Sequence, residues 1–382
     1  MNLLPLPQIF EGPESLDQLS SWIPKPESAK ILIFASPCMI HSGQLQRLKQ
    51  FLPASAEISV FSDFEGDPSM ETAQTAIKLA QSDRFDCVIA LGGGSVMDTA
   101  KISAALSRAD GTIDLDDVIG IDRVMPGTGV PLIAIPTTAG TGSEVTPITI
   151  LSDAAAGIKK SIISRHLIPS IAILDPSLTT TLPRDQTAYT GIDALVHAME
   201  SYLSKKANDY TDALSLRAVE LIARHLREAH RNGSNLDARA GLLRGSLLAG
   251  IAFSNAGVAA VHALAYPLGG QFKIPHGLAN GLMLIPVMAF NESASPVRIA
   301  TLTRILSDCL GSESLNLEQV LRRLLDSLNF PKSLKEAGIP ESALAPMAEK
   351  AIAIRRLLEN NPRPVSAEQA LNLYQSAYAG RS

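Results

Sequence analysis

The sequence predicts an α/β N-terminal half, residues 1–180, followed by an all-helical C-terminal half, residues 181–382. Three observations lead there. Short apolar runs alternate with helical patterns in the first half. Beyond about Arg184 one Ala- and Leu-rich helical pattern follows another, without runs of β-branched residues. The composition, 46% hydrophobic and 19% charged, is that of a globular chain long enough to bury two cores.

Taken in order, the first half reads as strand AKILIFAS and a polar helix from Gln44 to Phe51, then AEISVF and a helix from Met70 to Ala80. DCVIAL precedes a helix from Ser95 to Leu106, VPLIAIP follows, and SIAILDPSLTTTLP ends the region. Such alternation implies a parallel sheet covered on both faces. The stretch Gly245–Gly270 is weakly charged, but Ser254, Asn255, His262 and Pro267 interrupt it, which predicts a buried helix followed by a loop and no membrane span.

Bulk properties exclude several function classes. With 33 basic and 38 acidic residues, a formal net charge of −5 and no dense Lys/Arg tract, the chain suits neither nucleic acid nor an anionic membrane. Cys38, Cys87 and Cys309 lack paired spacing, so reduced thiols and a cytoplasmic location are expected. The N-terminus has no basic start, and Pro5, Pro7 and Gln8 break its apolar residues, unlike a secretory signal.

In DCVIALGGGSVMDTAKISAAL an apolar strand meets Gly92, Gly93 and Gly94 before Ser95 opens a helix. Free N–H groups and the positive end of the helix dipole then point at one spot, which suits an anion such as phosphate. A tight strand-to-helix turn is the plainer alternative, and the motif is not the spaced glycine fingerprint of dinucleotide folds. VPLIAIP runs into TTAGTGSEVT, where Thr137, Thr138, Thr141, Ser143 and Thr146 offer hydroxyls to ribose or pyrophosphate at a strand's carboxyl end. A hydroxyl-rich surface turn is the plainer alternative.

In the second half, Asp193 and His197 stand four apart in a helical pattern and leave one face together. That pair by itself also describes a solvated helix surface. His262 lies on an apolar helix and His276 follows a proline at a helix start, neither with an obvious core role. Three neutral imidazoles and one carboxylate would hold a divalent cation, Fe(II) or Zn(II), with net positive charge and a position open to a substrate oxygen. His41, His166, His225 and His230 read as surface residues. Phe253, Leu264, Tyr266 and Phe272 either shape a substrate pocket or belong to the core.

With GGGSVMD, PTTAGTGSEVT, the Asp193/His197 helix and NNPRP in this order, nearly the whole chain resembles the iron-containing alcohol dehydrogenase family. The resemblance implies a Rossmann-like domain of the dehydroquinate synthase-like fold that binds NAD or NADP. It also implies a helical domain carrying a catalytic metal on Asp193, His197, His262 and His276, and a homodimer or larger homo-oligomer. By the same resemblance Gly93, Gly94, Ser95, Asp98, Thr137, Thr138, Thr146, Lys159 and Leu178 line the cofactor site, with Gly94 and Ser95 at the pyrophosphate and Lys159 at the adenosine end.

Three positions depart from the family pattern. Ser36 stands where NAD-preferring members place an Asp, which leaves NADP open; Gly66, Asp67 and Pro68 replace a Pro-Asn-Pro, and the Asp67 carboxylate would favour NAD. Tyr266 replaces a His found four residues after the third metal ligand, so a proton would pass through Tyr266, a ribose hydroxyl or water. The expected reaction is metal-assisted hydride transfer between a small alcohol and NAD(P). The competing readings are a metal-free maleylacetate reductase, a cyclase resembling dehydroquinate synthase, and a non-catalytic NAD-binding protein. The four ligand types disfavour the first, and the lack of clustered Lys and Arg disfavours the second.

Overall fold

The computed structural model describes residues 3–64, 66, 68–111, 113–124, 129–153, 158–311 and 315–380. The chain divides into two compact units, Met1–Leu182 and Pro183–Ser382. In the first, the strands are β1 (Gln8–Glu11), β2 (Lys30–Ala35), β3 (Glu57–Phe61), β4 (Cys87–Gly92), β5 (Gly120–Ile121), β6 (Leu132–Pro136), β7 (Ile148–Asp153), β8 (Ile158–Ile163) and β9 (Ile171–Leu174). Six of them form one sheet in the order β1-β9-β6-β4-β2-β3, parallel throughout.

Successive side chains of a strand face opposite ways, and β2 uses both faces. Ile31 and Ile33 pack with Leu16, Leu19, Leu48, Ile89 and Ile135, whereas Leu32 and Phe34 pack with Ala76, Ala80, Val88, Met97 and Ala100. Burial on both sides is why these strands are continuously apolar. The helices Met70–Ser82 and Gly94–Leu106 cover the second face.

The register decides what shares the sheet's carboxyl edge. Ala35 pairs with Leu91, and Gly92 pairs with Pro136. Ser36, Gly93 and Thr137 therefore follow directly from three neighbouring strand ends. β2 leads outward to β3 on one side, while β4 lies on its other side, so the chain direction reverses beside the glycine loop. Open α/β sheets bind ligands at such a reversal.

Every regular element described in the second unit is a helix, beginning with Arg184–Leu203, Asp209–Arg231, Leu236–Ala256, Ala260–Phe272 and His276–Glu292. Starts are marked by side chains that take up free backbone donors: Asn208, Asn316 and Ser366 each complete a capping box.

Several expectations are corrected. β1 and a small three-stranded sheet, β5-β8-β7, add to the predicted strands. The stretch expected to be a helix and then a loop holds two helices, Leu236–Ala256 and Ala260–Phe272, bent by 105°. Its Pro267 lies inside the second, where apolar packing on all sides outweighs the lost hydrogen bond. His230, read as a surface residue, is buried, and His166 and His225 are partly covered; only His41 is exposed. The end of a charged helix can still turn one side inward, and Arg184 donates from Nε to the His230 carbonyl oxygen at 3.1 Å. No single helix among the described residues is long and apolar enough to cross a membrane.

Candidate metal centre and cofactor loops

Three helices of the second unit supply the centre. Arg184–Leu203 presents Asp193, His197 and Glu200 at i, i+4 and i+7, a single stripe along one face. His262 sits in the first turn of Ala260–Phe272, and His276 is the first residue of His276–Glu292, set there by Pro275. The last helix approaches closely because residue 277 is glycine: a Cβ there would stand 2.0 Å from the Tyr189 carbonyl oxygen.

Single ligand atoms of Asp193, His262 and His276 lie within 4.8 Å of one another and could hold a metal ion. Asp193 Oδ1 is 3.7 Å from His262 Nε2, 3.5 Å from His276 Nε2 and 3.8 Å from His197 Nε2. For ligand bonds of 2.0–2.2 Å the edge of a tetrahedron measures roughly 3.3–3.6 Å, so these spacings suit one small divalent cation. His197 stands beside the trio, its ring stacked between Phe253 at 4.3 Å and His262 at 4.7 Å. Asp193, His197 and His262 are buried, whereas the His276 side chain is 29% exposed, which leaves the centre open on that side. Tyr266 lies there, its ring 6.0 Å from that of His276.

The electrostatics also fit a cation. Burial opposes ionisation of Asp193, but His197, His276 and His262 hold its carboxyl well below the usual range. Burial likewise opposes a charged His262, yet the neighbouring carboxylates of Asp193 and Glu200 raise its pKa to about 9. A pocket that favours positive charge on a buried imidazole favours a metal ion in its place, with loss of the proton. Asn280 adds a second sign. Its Nδ2 donates to Asp193 Oδ1 at 2.7 Å and lies 3.2 Å from His262 Nε2 and 3.3 Å from His276 Nε2, so a carboxylate oxygen and two ring nitrogens converge on one positively polarised atom. Its Oδ1 is buried without a hydrogen-bond partner among the described residues.

Glu200 was not singled out in the sequence. Its Oε2 accepts from the Ala259 N–H at 3.0 Å and lies 2.6 Å from His262 Nδ1, and its Oε1 accepts from the Val261 N–H at 2.6 Å. The available signal was its place three residues after His197 on the ligand stripe.

In the first unit, the helix Gly94–Leu106 starts at Gly93 with no side-chain cap, leaving its first N–H groups available to a ligand. A Cβ on Gly94 would lie 2.7 Å from Thr141 Cγ2, so the glycine and hydroxyl loops touch, and the Thr137 N–H donates to the Gly92 carbonyl at 3.0 Å. Asp98 and Lys101 fasten the second loop to the helix. Asp98 accepts from Ser143 Oγ at 2.6 Å and the Ile150 N–H at 2.8 Å, and Lys101 Nζ donates to Thr146 Oγ1 at 2.8 Å. The expected contacts Asp98 and Thr146 are thus engaged within the protein. Burial raises Glu144 in the same loop to about 7 and lowers Lys101 to about 8.

Of the other predicted cofactor residues, Ser36 precedes the short helix Pro37–His41, with Oγ 2.9 Å from Cys38 Sγ. Lys159 lies on β8 opposite Ser152, and Leu178 is fully buried beneath the sheet. Ser95 and Thr138 lie on the two touching loops and are partly exposed. Asp67 lies outside the described residues.

Known proteins resemble this chain along most of its length. Residues 7–176 match the family model "Iron-containing alcohol dehydrogenase" and residues 187–378 match "Fe-containing alcohol dehydrogenase family, C-terminal". The chain is 39% identical over 377 residues to long-chain-alcohol dehydrogenase 1 of Geobacillus thermodenitrificans, covering 96% of this chain and 94% of that one. It is 35% identical over 379 residues to sulfoacetaldehyde reductase of Bilophila wadsworthia, 97% of each. The solved structure of an alcohol dehydrogenase from Oenococcus oeni superposes with a TM-score of 0.90 at 30% identity, covering 99% of this chain and 100% of that one. The chain belongs to the iron-containing alcohol dehydrogenase family and is an alcohol oxidoreductase.

Proposed function

We propose that Asp193, His197, His262 and His276 hold one divalent cation, Fe(II) or Zn(II), and that the chain uses NAD or NADP to interconvert an alcohol and its aldehyde or ketone. The convergence of Asp193, His262 and His276 on one point carries this reading. When bound, the cation supplies Lewis acidity that lowers the pKa of an alcohol or polarises a carbonyl, and the nicotinamide takes up or gives the hydride.

The residues present do the rest. Asp193 provides the negative charge that would retain a cation, and His197 and His262 are buried beside it. Tyr266, beside the exposed edge of His276, is the group assigned to pass the alcohol proton onward. Phe253, stacked on His197, offers an aromatic surface to a carbon chain. Residues 1–180 are the cofactor domain in this reading, with the first turn of Gly94–Leu106 and the hydroxyls of Ser95 and Thr138 at the phosphates and ribose. Ser36, a neutral residue at the end of β2, admits a 2′-phosphate. Residues 181–382 are the catalytic domain. The edge position of β1 supports a homodimer or larger homo-oligomer, and the free thiols of Cys38, Cys87 and Cys309 support a cytoplasmic setting.

The test is anaerobic purification, metal analysis, and absorbance assays of NADH and NADPH with short aldehydes, ketones and sulfoacetaldehyde. Turnover lost on chelation and regained with Fe(II) or Zn(II) is expected. Cofactor binding without turnover of any carbonyl would overturn the proposal.

A further inference from the structure

We propose that Glu200 is a positioning residue of the metal centre: it selects the nitrogen of His262 that faces the cation and sets a second negative charge behind that ligand. The inference rests on the metal-centre reading above and extends it beyond the four ligands.

Glu200 is 1% exposed and lies seven residues after Asp193 on the ligand stripe. A carboxylate so deeply buried is costly unless its oxygens are satisfied, and here both are. One oxygen serves His262 Nδ1 and the Ala259 N–H together, and the other takes the Val261 N–H. An ionised carboxylate only accepts, so Nδ1 carries the hydrogen and the lone pair of Nε2 turns toward Asp193 and His276. The same contact makes the imidazole a stronger donor to a metal. Three imidazoles and Asp193 would leave a divalent cation with one net positive charge; Glu200, acting through His262, offsets it.

Holding the backbone is not the distinctive contribution of Glu200, because the loop before His262 has other fasteners. Ser204 Oγ donates to the Ala256 carbonyl at 2.6 Å, and Asn360 Nδ2 donates to the Val258 carbonyl at 2.9 Å. The Asn360 carbonyl in turn accepts from the Lys205 N–H at 2.9 Å. The NNPRP segment is thereby accounted for: its first Asn ties the loop entering the His262 helix to the end of the Asp193 helix. What Glu200 alone brings is the charge and the hydrogen-bond polarity at Nδ1.

The experiment uses the full chain, stripped by chelation and titrated with Co(II) against a chromophoric chelator, for wild type, Glu200→Gln and Glu200→Asp. Glu200→Gln keeps the shape and loses the charge; it is expected to bind Co(II) about 10–100-fold more weakly, with an altered visible absorption band and a melting temperature lowered only modestly before metal is added, because its amide leaves one buried N–H facing a donor. Glu200→Asp, which keeps the charge on a shorter arm, is expected to recover part of that affinity. Wild-type Co(II) affinity and spectrum in Glu200→Gln would overturn the inference. So would equal losses in both variants accompanied by a collapsed melting temperature, the sign of a purely structural residue. Failure of the wild-type chain to bind Co(II) would instead overturn the metal-centre reading, and this inference with it.

Discussion

The two units build their candidate sites from different material. In the first, main chain does most of the work: glycines at a strand end, uncapped N–H groups of a helix, and a loop fastened by Asp98 and Lys101. In the second, side chains from three helices bring their ligand atoms within 4.8 Å of one another. A main-chain site is written into a short contiguous motif, whereas a side-chain site is written into distant positions that only packing brings together. The first kind is sensitive to added bulk, and the second to lost donors.

The sharpest way to break that contrast is His276→Ala, which removes a donor from the most exposed ligand position. Metal retention and turnover should both be lost while cofactor binding and the melting temperature are kept, as read by metal analysis, NADH fluorescence and thermal scanning. Tyr266→Phe should retain metal and slow alcohol oxidation by about 10²-fold if its hydroxyl passes the proton; an unchanged pH–rate profile would assign that role to water. Gly94→Ala tests the first site by added bulk, since the new methyl would meet Thr141 Cγ2 at 2.7 Å. Cofactor affinity should fall about tenfold, or 1.4 kcal/mol, with metal content untouched.

A separate measurement concerns the fastened loop and reads stability rather than binding. Glu144 is raised by burial to about 7 from an ordinary 4.5, so the folded chain holds this proton more tightly than the unfolded chain does. Its contribution to stability is therefore complete below about pH 4.5 and lost as pH rises through about 7. Glu144→Gln should remain more stable than wild type at pH 8 by on the order of 1–3 kcal/mol relative to their difference at pH 5. Denaturant melts at both values check it; an equal difference at both would show that Glu144 ionises freely in the folded protein.

Legibility in the sequence followed the same division. The glycine loop, the hydroxyl loop and the doubly covered strands could be read locally, because each is a run of neighbouring residues with one period. β7 and β8 were missed since ITILSD and IKKSII mix polar and apolar residues in a small sheet, and β1 is only four residues long. Among the site residues, the Asp193/His197 spacing was readable from one helix. Glu200 was not, because a glutamate on a helix ordinarily faces water, and its three partners lie 59 to 62 residues further along the chain. His230 was misjudged for the opposite reason: its charged neighbours masked an inward-facing position.

Gly277 makes the width of the metal centre a property of main-chain packing. With the Tyr189 carbonyl only 2.0 Å from where a Cβ would be, any side chain at 277 would drive the His276 helix back by roughly 1.5 Å to reach ordinary contact distance. Displacements of that size at a reacting centre cost about 10²-fold in rate. The glycine thus acts as a calliper: it offers no ligand atom of its own, yet it sets how closely the His276 helix approaches the Asp193 helix.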